Sequence, residues 1–238
     1  IASVGGVDPV AAKRLATKHF GIIPAGPPPP PVETIEPKQN GERLVNIESQ
    51  SQPIELIGYK RPNQLSDDDP VFDVVAEILS GGRTGMIYKD LVRDKKIALA
   101  AGAVGTFPSG KYPNLFLLYI APNMGKSLQE CEQALDGVLA ELKTKKVDSE
   151  TLERVKTKLR ADLIRKLDSN SGLAEELNTF SVAYGDWRKL FTSLDEYNKV
   201  TAEDVQRVAN QYLLTSTKTV GRLVPPTVST TGKAEEKN

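Results

Sequence analysis

Residues 43 to 59 read Arg43-Leu-Val-Asn-Ile-Glu-Ser-Gln-Ser-Gln-Pro-Ile-Glu-Leu-Ile-Gly-Tyr59 and contain two short runs rich in β-branched and aromatic residues. The polar segment from Ser49 to Pro53 separates the two runs and has the composition of a turn. The pattern predicts two strands that follow each other directly, at 43–48 and 54–59. These strands open the largest structural unit of the chain.

Strands and helices then follow in groups rather than in alternation. The pattern predicts a helix capped within Ser66–Pro70, a second from about Thr84 to Lys95, and strands at 97–104 and 115–121. Five more helices are predicted, beginning near Ser127, Asp148, Leu173, Trp187 and Thr201, before a last strand at 217–224. The order β-β-α-α-β-β-α-α-α-α-α-β predicts an α+β fold: a two-layer domain with a mostly antiparallel sheet covered on one face by helices.

The N-terminal part has a different character. Ile1 to Asp8 predicts a short strand that runs into a helix capped by Asp8-Pro9 and ending at Gly21. The five prolines Pro27–Pro31 predict an extended polyproline spacer. We therefore expect residues before Ile1, and we divide the chain into 1–36, the end of an upstream domain with its linker, 37–225, a complete domain, and 226–238, a flexible tail.

Composition excludes several classes of function. The 238 residues contain 31 lysines and arginines and 31 aspartates and glutamates, so no net charge favours binding to nucleic acid or to an anionic membrane. No apolar run approaches the roughly 18 residues that span a bilayer, and no secretory signal pattern is present. We expect a soluble protein without nucleic-acid or membrane-spanning function, with the bacterial periplasm and cytoplasm both left open.

Cysteine and histidine are too rare for most catalytic and metal-binding sites. The single Cys131 excludes an internal disulfide framework and, on the apolar stripe of its helix, is expected to be a buried, inert thiol. The single His19 excludes any metal site that needs two imidazoles from this chain, and we expect it to be structural. Asp67-Asp68-Asp69 has the composition of a cation site, but helix capping before Pro70 explains it better.

Gly81-Gly82-Arg83-Thr84-Gly85 is the glycine-rich loop that leads into a predicted helix. Its backbone amides are able to bind an anion or a peptide carboxylate, whereas the alternative is a turn between two helices that needs the backbone freedom of glycine. Arg83 and Arg93 are the charges of most interest, because both fall around the helix that follows this turn.

The order of several motifs resembles the pitrilysin, or insulinase-like, zinc peptidases, in the short bacterial, processing-peptidase-like branch. The resemblance covers residues 1 to about 225. It is carried by Val4-Gly-Gly-Val-Asp-Pro9, Lys18-His-Phe-Gly-Ile-Ile-Pro24 with its proline run, Ile78-Leu-Ser-Gly-Gly-Arg-Thr-Gly-Met-Ile-Tyr-Lys-Asp-Leu-Val92, Leu167-Asp-Ser-Asn-Ser-Gly-Leu173, Tyr184-Gly-Asp-Trp187 and Val200-Thr-Ala-Glu-Asp-Val205.

The resemblance implies a metallopeptidase fold of the LuxS and processing-peptidase type, built from pairs of similar domains. Residues 37–225 resemble the C-terminal domain of such a pair, which lacks the family's inverted His-x-x-Glu-His zinc motif. Zinc is therefore expected in an N-terminal domain of the parent protein or in a partner subunit, with no cofactor and no catalytic or metal-binding residue in this chain. A peptide substrate and a homodimer or heterodimer are the further partners that the family implies.

The resemblance also implies a substrate-clamping pair in this part of the family, an arginine followed seven residues later by a tyrosine. Arg93 stands at the arginine position, but Ala100 stands at the tyrosine position. Tyr88 matches a packing position. The candidate substrate-binding residues are therefore Arg93, Gly81, Gly82 and Arg83.

Two functions follow as hypotheses. The first is the non-metal-binding part of a zinc metalloendopeptidase, which helps to enclose and position a peptide for hydrolysis at a zinc site supplied elsewhere. The alternative is a non-catalytic scaffold or assembly subunit of the same family, which the loss of tyrosine at Ala100 favours.

Overall fold

The computed structural model describes residues 1–30, 32 and 37–226. Pro31 of the proline run, residues 33–36 of the expected linker and residues 227–238 of the expected tail lie outside this part. One helix, α1 (Pro9–Phe20), precedes the proline run. The part of the chain after the proline run contains β1 (Arg43–Glu48), β2 (Ile54–Arg61), α2 (Asp69–Ser80), a π-helix (Tyr88–Asp94), β3 (Ala98–Phe107), β4 (Asn114–Pro122), α3 (Leu128–Thr144), α4 (Ser149–Leu167), α5 (Asn170–Tyr184), α6 (Lys189–Lys199), α7 (Ala202–Tyr212) and β5 (Lys218–Val224).

The five strands form one sheet in the order β1-β5-β2-β4-β3. All neighbouring strands are antiparallel except β1 and β5, which are parallel. The predicted α+β fold with a mostly antiparallel sheet is confirmed. The predicted strand at residues 1–8 is wrong: these residues form no strand, and no described strand lies beside them to accept their backbone hydrogen bonds.

The core lies between the sheet and its helices. Phe116, Leu118 and Ile120 alternate along β4 and are fully buried against the helical layer, whereas Tyr119 points to the opposite face and is 37% exposed. The apolar side of α2 packs against this face, with Val74 and Val75 fully buried. This face of the sheet therefore carries the hydrophobic stabilisation of the domain.

Polar contacts fasten the α5–α6 segment to α2. Tyr197 donates a hydrogen bond to Asp73 over 2.9 Å, and Tyr184 reaches Asp69 over 3.4 Å. Burial, reinforced by the charge of Asp69, raises the pKa of Asp73 to about 6. A further polar contact comes from α4, because Lys156 is 7% exposed and donates to the carbonyl of Asn198.

None of the helices in the described part of the chain is long and apolar enough to cross a membrane.

Candidate functional site

The glycine loop follows directly from the C-terminus of α2. Gly82 has a φ of +60°, a left-handed backbone conformation that residues other than glycine rarely adopt. A Cβ atom on Gly85 would lie 2.7 Å from the carbonyl oxygen of Leu79, so this position also requires glycine. The amide of Gly81 donates to the carbonyl of Glu77 over 2.8 Å and is therefore engaged in ending the helix. The turn geometry thus accounts for the glycines of this loop.

A cleft of about 320 Å³ lies between this loop and the edge strand β3. We call it the Arg83 cleft and define it by the lining residues Gly82, Arg83, Tyr88, Leu99, Ala100 and Tyr119. The structure brings together here two of the four residues predicted from the sequence, Gly82 and Arg83. Gly81 does not line the cleft.

Arg93 lies elsewhere. It sits near the end of the π-helix, where its guanidinium donates to both carboxylate oxygens of Asp94 over 2.6 and 2.9 Å. The pairing raises the pKa of Arg93 and lowers that of Asp94. Both side chains are 55% exposed, and Arg93 lines a separate cleft toward Glu141 of α3. The structure therefore does not bring Arg93 together with Arg83 and Ala100.

Two tyrosines of the Arg83 cleft were not recognised as site residues from the sequence. Tyr119 pairs with Gly102 across β3 and β4, and its ring lies over that glycine. Tyr88 begins the π-helix, where the sequence predicted a packing role. The alternation of β4 places Tyr119 on the face away from the helices, but only the register between β3 and β4 shows that it reaches the cleft.

The Asp67–Asp69 cluster has a different role from the predicted one. Asp68 is at the N-cap position of α2, yet its side chain makes no capping bond and instead accepts hydrogen bonds from Arg207 over 2.6 Å and Tyr212 over 2.9 Å. Burial alone would raise the pKa of Asp68, but these two donors lower it. Asp69 forms an ion pair with Arg61, whose side chain is wholly buried. Because Asp68 occupies the N-cap position without a side-chain capping bond, the capping interpretation is wrong.

The remaining candidates do not form a zinc site. Among the described residues there is no group of three or more His, Cys, Asp or Glu side chains able to hold a metal ion. His19 is exposed on α1. Cys131 is buried, its Sγ lies 3.3 Å from the carbonyl oxygen of Ile97, and burial raises the pKa of its thiol. The described residues thus do not fit a zinc ion.

Most of this chain is similar to known proteins. Residues 1–159 match the peptidase M16 inactive domain family. The zinc protease PqqE of Helicobacter pylori is 25% identical over 228 residues, which are 93% of this chain and 50% of that protein. The chain thus spans about half the length of this relative.

Solved structures show the same fold. A protease from Helicobacter pylori superposes with a TM-score of 0.84 at 23% identity, covering 93% of this chain and 54% of that one. A peptidase M16 inactive domain from Pseudomonas fluorescens gives a TM-score of 0.76 at 16% identity, and the match covers 93% of this chain and 52% of that one. Since the family match extends over well more than half of the residues, this chain belongs to the peptidase M16 inactive domain family of zinc protease-like proteins.

Proposed function

We propose that this chain is the non-metal-binding part of a zinc metalloendopeptidase. It helps to enclose and position a peptide whose hydrolysis takes place at a zinc site in an N-terminal domain or a partner subunit. In this proposal residues 1–36 are the C-terminal end of an upstream domain together with a linker, and residues 37–225 form the enclosing domain. The zinc ion and its general base belong to the other part, so the contribution of this chain is binding.

The observation that carries the proposal is the Arg83 cleft beside an edge strand. In the described part of the chain, β3 pairs with β4 and with no other strand. Extended peptides bind proteins by adding to such edges, where backbone groups give affinity and neighbouring pockets select side chains. Leu99, 61% exposed, and the small Ala100 leave this edge open next to Arg83.

Reconstitution with the metal-binding part tests the proposal. The purified chain is mixed with a partner that carries His-x-x-Glu-His, zinc is added, and cleavage of a fluorogenic peptide is followed. We expect chelator-sensitive cleavage that needs both parts. Chelator-resistant hydrolysis by this chain alone, or full activity of the partner without it, would overturn the proposal.

A scaffold or assembly subunit is the second candidate, favoured by Ala100. This alanine lines the Arg83 cleft where the resemblance implies a tyrosine. The residues encoded before Ile1 separate the two functions: an intact zinc motif supports the peptidase, and a degenerate motif supports the scaffold.

A further inference from the structure

We propose that the Arg83 cleft binds a carboxylate of the peptide, either an acidic side chain or the C-terminal carboxylate, through Arg83 and the hydroxyls of Tyr88 and Tyr119. This inference rests on the proposed function for its ligand class, a peptide, and adds the chemistry by which this chain selects among peptides.

Arg83 is uncommitted in the structure. It is exposed and makes no ion pair or hydrogen bond with the described residues, whereas Arg93 binds Asp94 and Arg154 donates to Thr84. A guanidinium presents several N–H donors in a planar fork that matches the two oxygens of a carboxylate. Arg83 therefore has the donors for a carboxylate and no internal acceptor for them.

The turn that carries Arg83 is held on both sides. Thr84 donates from its hydroxyl to the carbonyl oxygen of Gly81 over 2.9 Å and accepts a hydrogen bond from Arg154 over 2.8 Å. Gly82 provides the left-handed backbone that the turn needs. Because the backbone around Arg83 is fixed before a ligand arrives, binding has to order only the side chain.

Two phenols complete the set of donors. Tyr88 and Tyr119 line the cleft, and their hydroxyls make no hydrogen bond to any residue of the described ranges. Tyr119 reaches over β3 because Gly102 has no side chain to block its ring. Each phenol is able to donate one hydrogen bond to a carboxylate oxygen.

The charge of the cleft favours an anion. Of the described residues that line it, Arg83 is the only charged one, and none is acidic. The polar cleft at the start of α2 differs, because there Asp68 and Arg207 neutralise each other. A single unpaired guanidinium in a partly apolar cleft attracts a carboxylate and disfavours a cationic side chain.

The test uses the complete peptidase, this chain with its zinc-binding part, and two pairs of peptides. One pair differs by Glu against Gln at an internal position, and the other by a free C-terminal carboxylate against an amide. We expect one acidic form to be cleaved with about tenfold higher kcat/KM, mainly through KM, and the pair that shows this difference identifies the source of the carboxylate.

Substitutions then assign the preference to the cleft. We expect Arg83→Gln to abolish it, Arg83→Lys to retain part of it, and Tyr119→Phe to weaken it. Arg43→Gln, which removes an exposed arginine at the opposite edge of the sheet, is the matched control and should leave it intact. Equal cleavage of acidic and neutral peptides, or a preference that survives Arg83→Gln, would overturn the inference while leaving the proposed function standing.

A binding measurement separates the two proposals if no cleavage occurs. Titration calorimetry of the 238-residue chain with the same peptides reports on the cleft without zinc chemistry. Selective binding of an acidic peptide that Arg83→Gln removes, in a variant with unchanged circular dichroism, supports the carboxylate site even where reconstitution fails. Absence of such binding together with absence of a preference in cleavage overturns it.

Discussion

Tyr119 of β4 lies across Gly102 of β3 so closely that a Cβ atom on Gly102 would come within 2.6 Å of the tyrosine hydroxyl oxygen. This single contact decides whether the phenol can reach the Arg83 cleft. The ring of Tyr119 is 37% exposed, so it is able to swing outward when the space is filled.

Gly102→Ala should therefore impair the cleft more than the fold. We expect the affinity for acidic peptides to fall severalfold, while the free energy of unfolding changes by less than about 1 kcal/mol. Calorimetry with the peptide and urea unfolding measure the two effects. Gly221→Ala is the control, since a Cβ there meets no atom within 4 Å, and equal peptide affinities of the two variants would contradict the prediction.

Arg93→Ala tests the arginine that the family resemblance singles out. If Arg93 contacts peptide from its own cleft, its removal raises KM severalfold in the complete peptidase, and the effect adds to that of Arg83→Gln because the two residues line different clefts. Steady-state kinetics of the single and double variants measure this. Arg188→Ala, which removes an exposed arginine paired with Asp186, is the control. A KM unchanged from the parent would leave Arg93 as a surface residue.

Asp73 should make the domain less stable as the pH rises. Its pKa of about 6 lies above the ordinary value, so the folded state holds this proton more tightly than the unfolded state. The free energy of unfolding then falls between about pH 4 and pH 7 on account of this group. Asp73→Asn, which keeps an acceptor for Tyr197, should be more stable than the parent at pH 7.5 by on the order of 1–3 kcal/mol.

Urea unfolding at pH 5 and pH 7.5 measures the effect of Asp73→Asn. The exposed Asp195→Asn serves as control and should follow the parent at both values. The prediction fails if Asp73→Asn and the parent lose the same stability between the two pH values.

Arg222→Met should destabilise the sheet strongly. Arg222 donates to Glu55 over 2.5 Å, and Glu55 is fully buried, so the substitution leaves a carboxylate in the core without this partner. We expect a loss of about 3–5 kcal/mol, partly restored in the double variant Glu55→Gln with Arg222→Met. Urea denaturation of both variants measures it, and Arg207→Met, which breaks a more exposed pair with Asp68, should cost less.

The starts of several helices were predictable from the sequence, because one capping residue determines each of them. Asp8, Asp148 and Thr201 each accept a hydrogen bond from a backbone amide two or three residues ahead, as the capping patterns predict. The sequence Ser127-Leu-Gln-Glu130 has the pattern of a capping box, but only half of it forms: Ser127 accepts from the amide of Glu130, whereas the Glu130 side chain binds Lys126. A solvent-exposed carboxylate has competing partners that a four-residue pattern does not reveal.

Long-range pairing was not predictable from the pattern. Asp68 meets Arg207 only because α7 packs beside α2, and 139 residues separate the two in sequence. Arg83 and Arg93 line different clefts, and the segment Tyr88–Asp94 is a π-helix, whose wider turn changes the side-chain directions that an α-helical pattern predicts. The sequence narrows the candidate site to the glycine loop, but placing Tyr119 in the cleft requires the register between β3 and β4.

The place of β5 between β1 and β2 has a consequence for how the protein is made. Thr219 pairs with Arg43 on one side and Gly58 on the other, so β1 and β2 remain unjoined to each other until β5 has been synthesised. We expect the sheet to be completed only after β5 has emerged from the ribosome, with the unpaired β1 as the segment most exposed to chaperones and to aggregation before then.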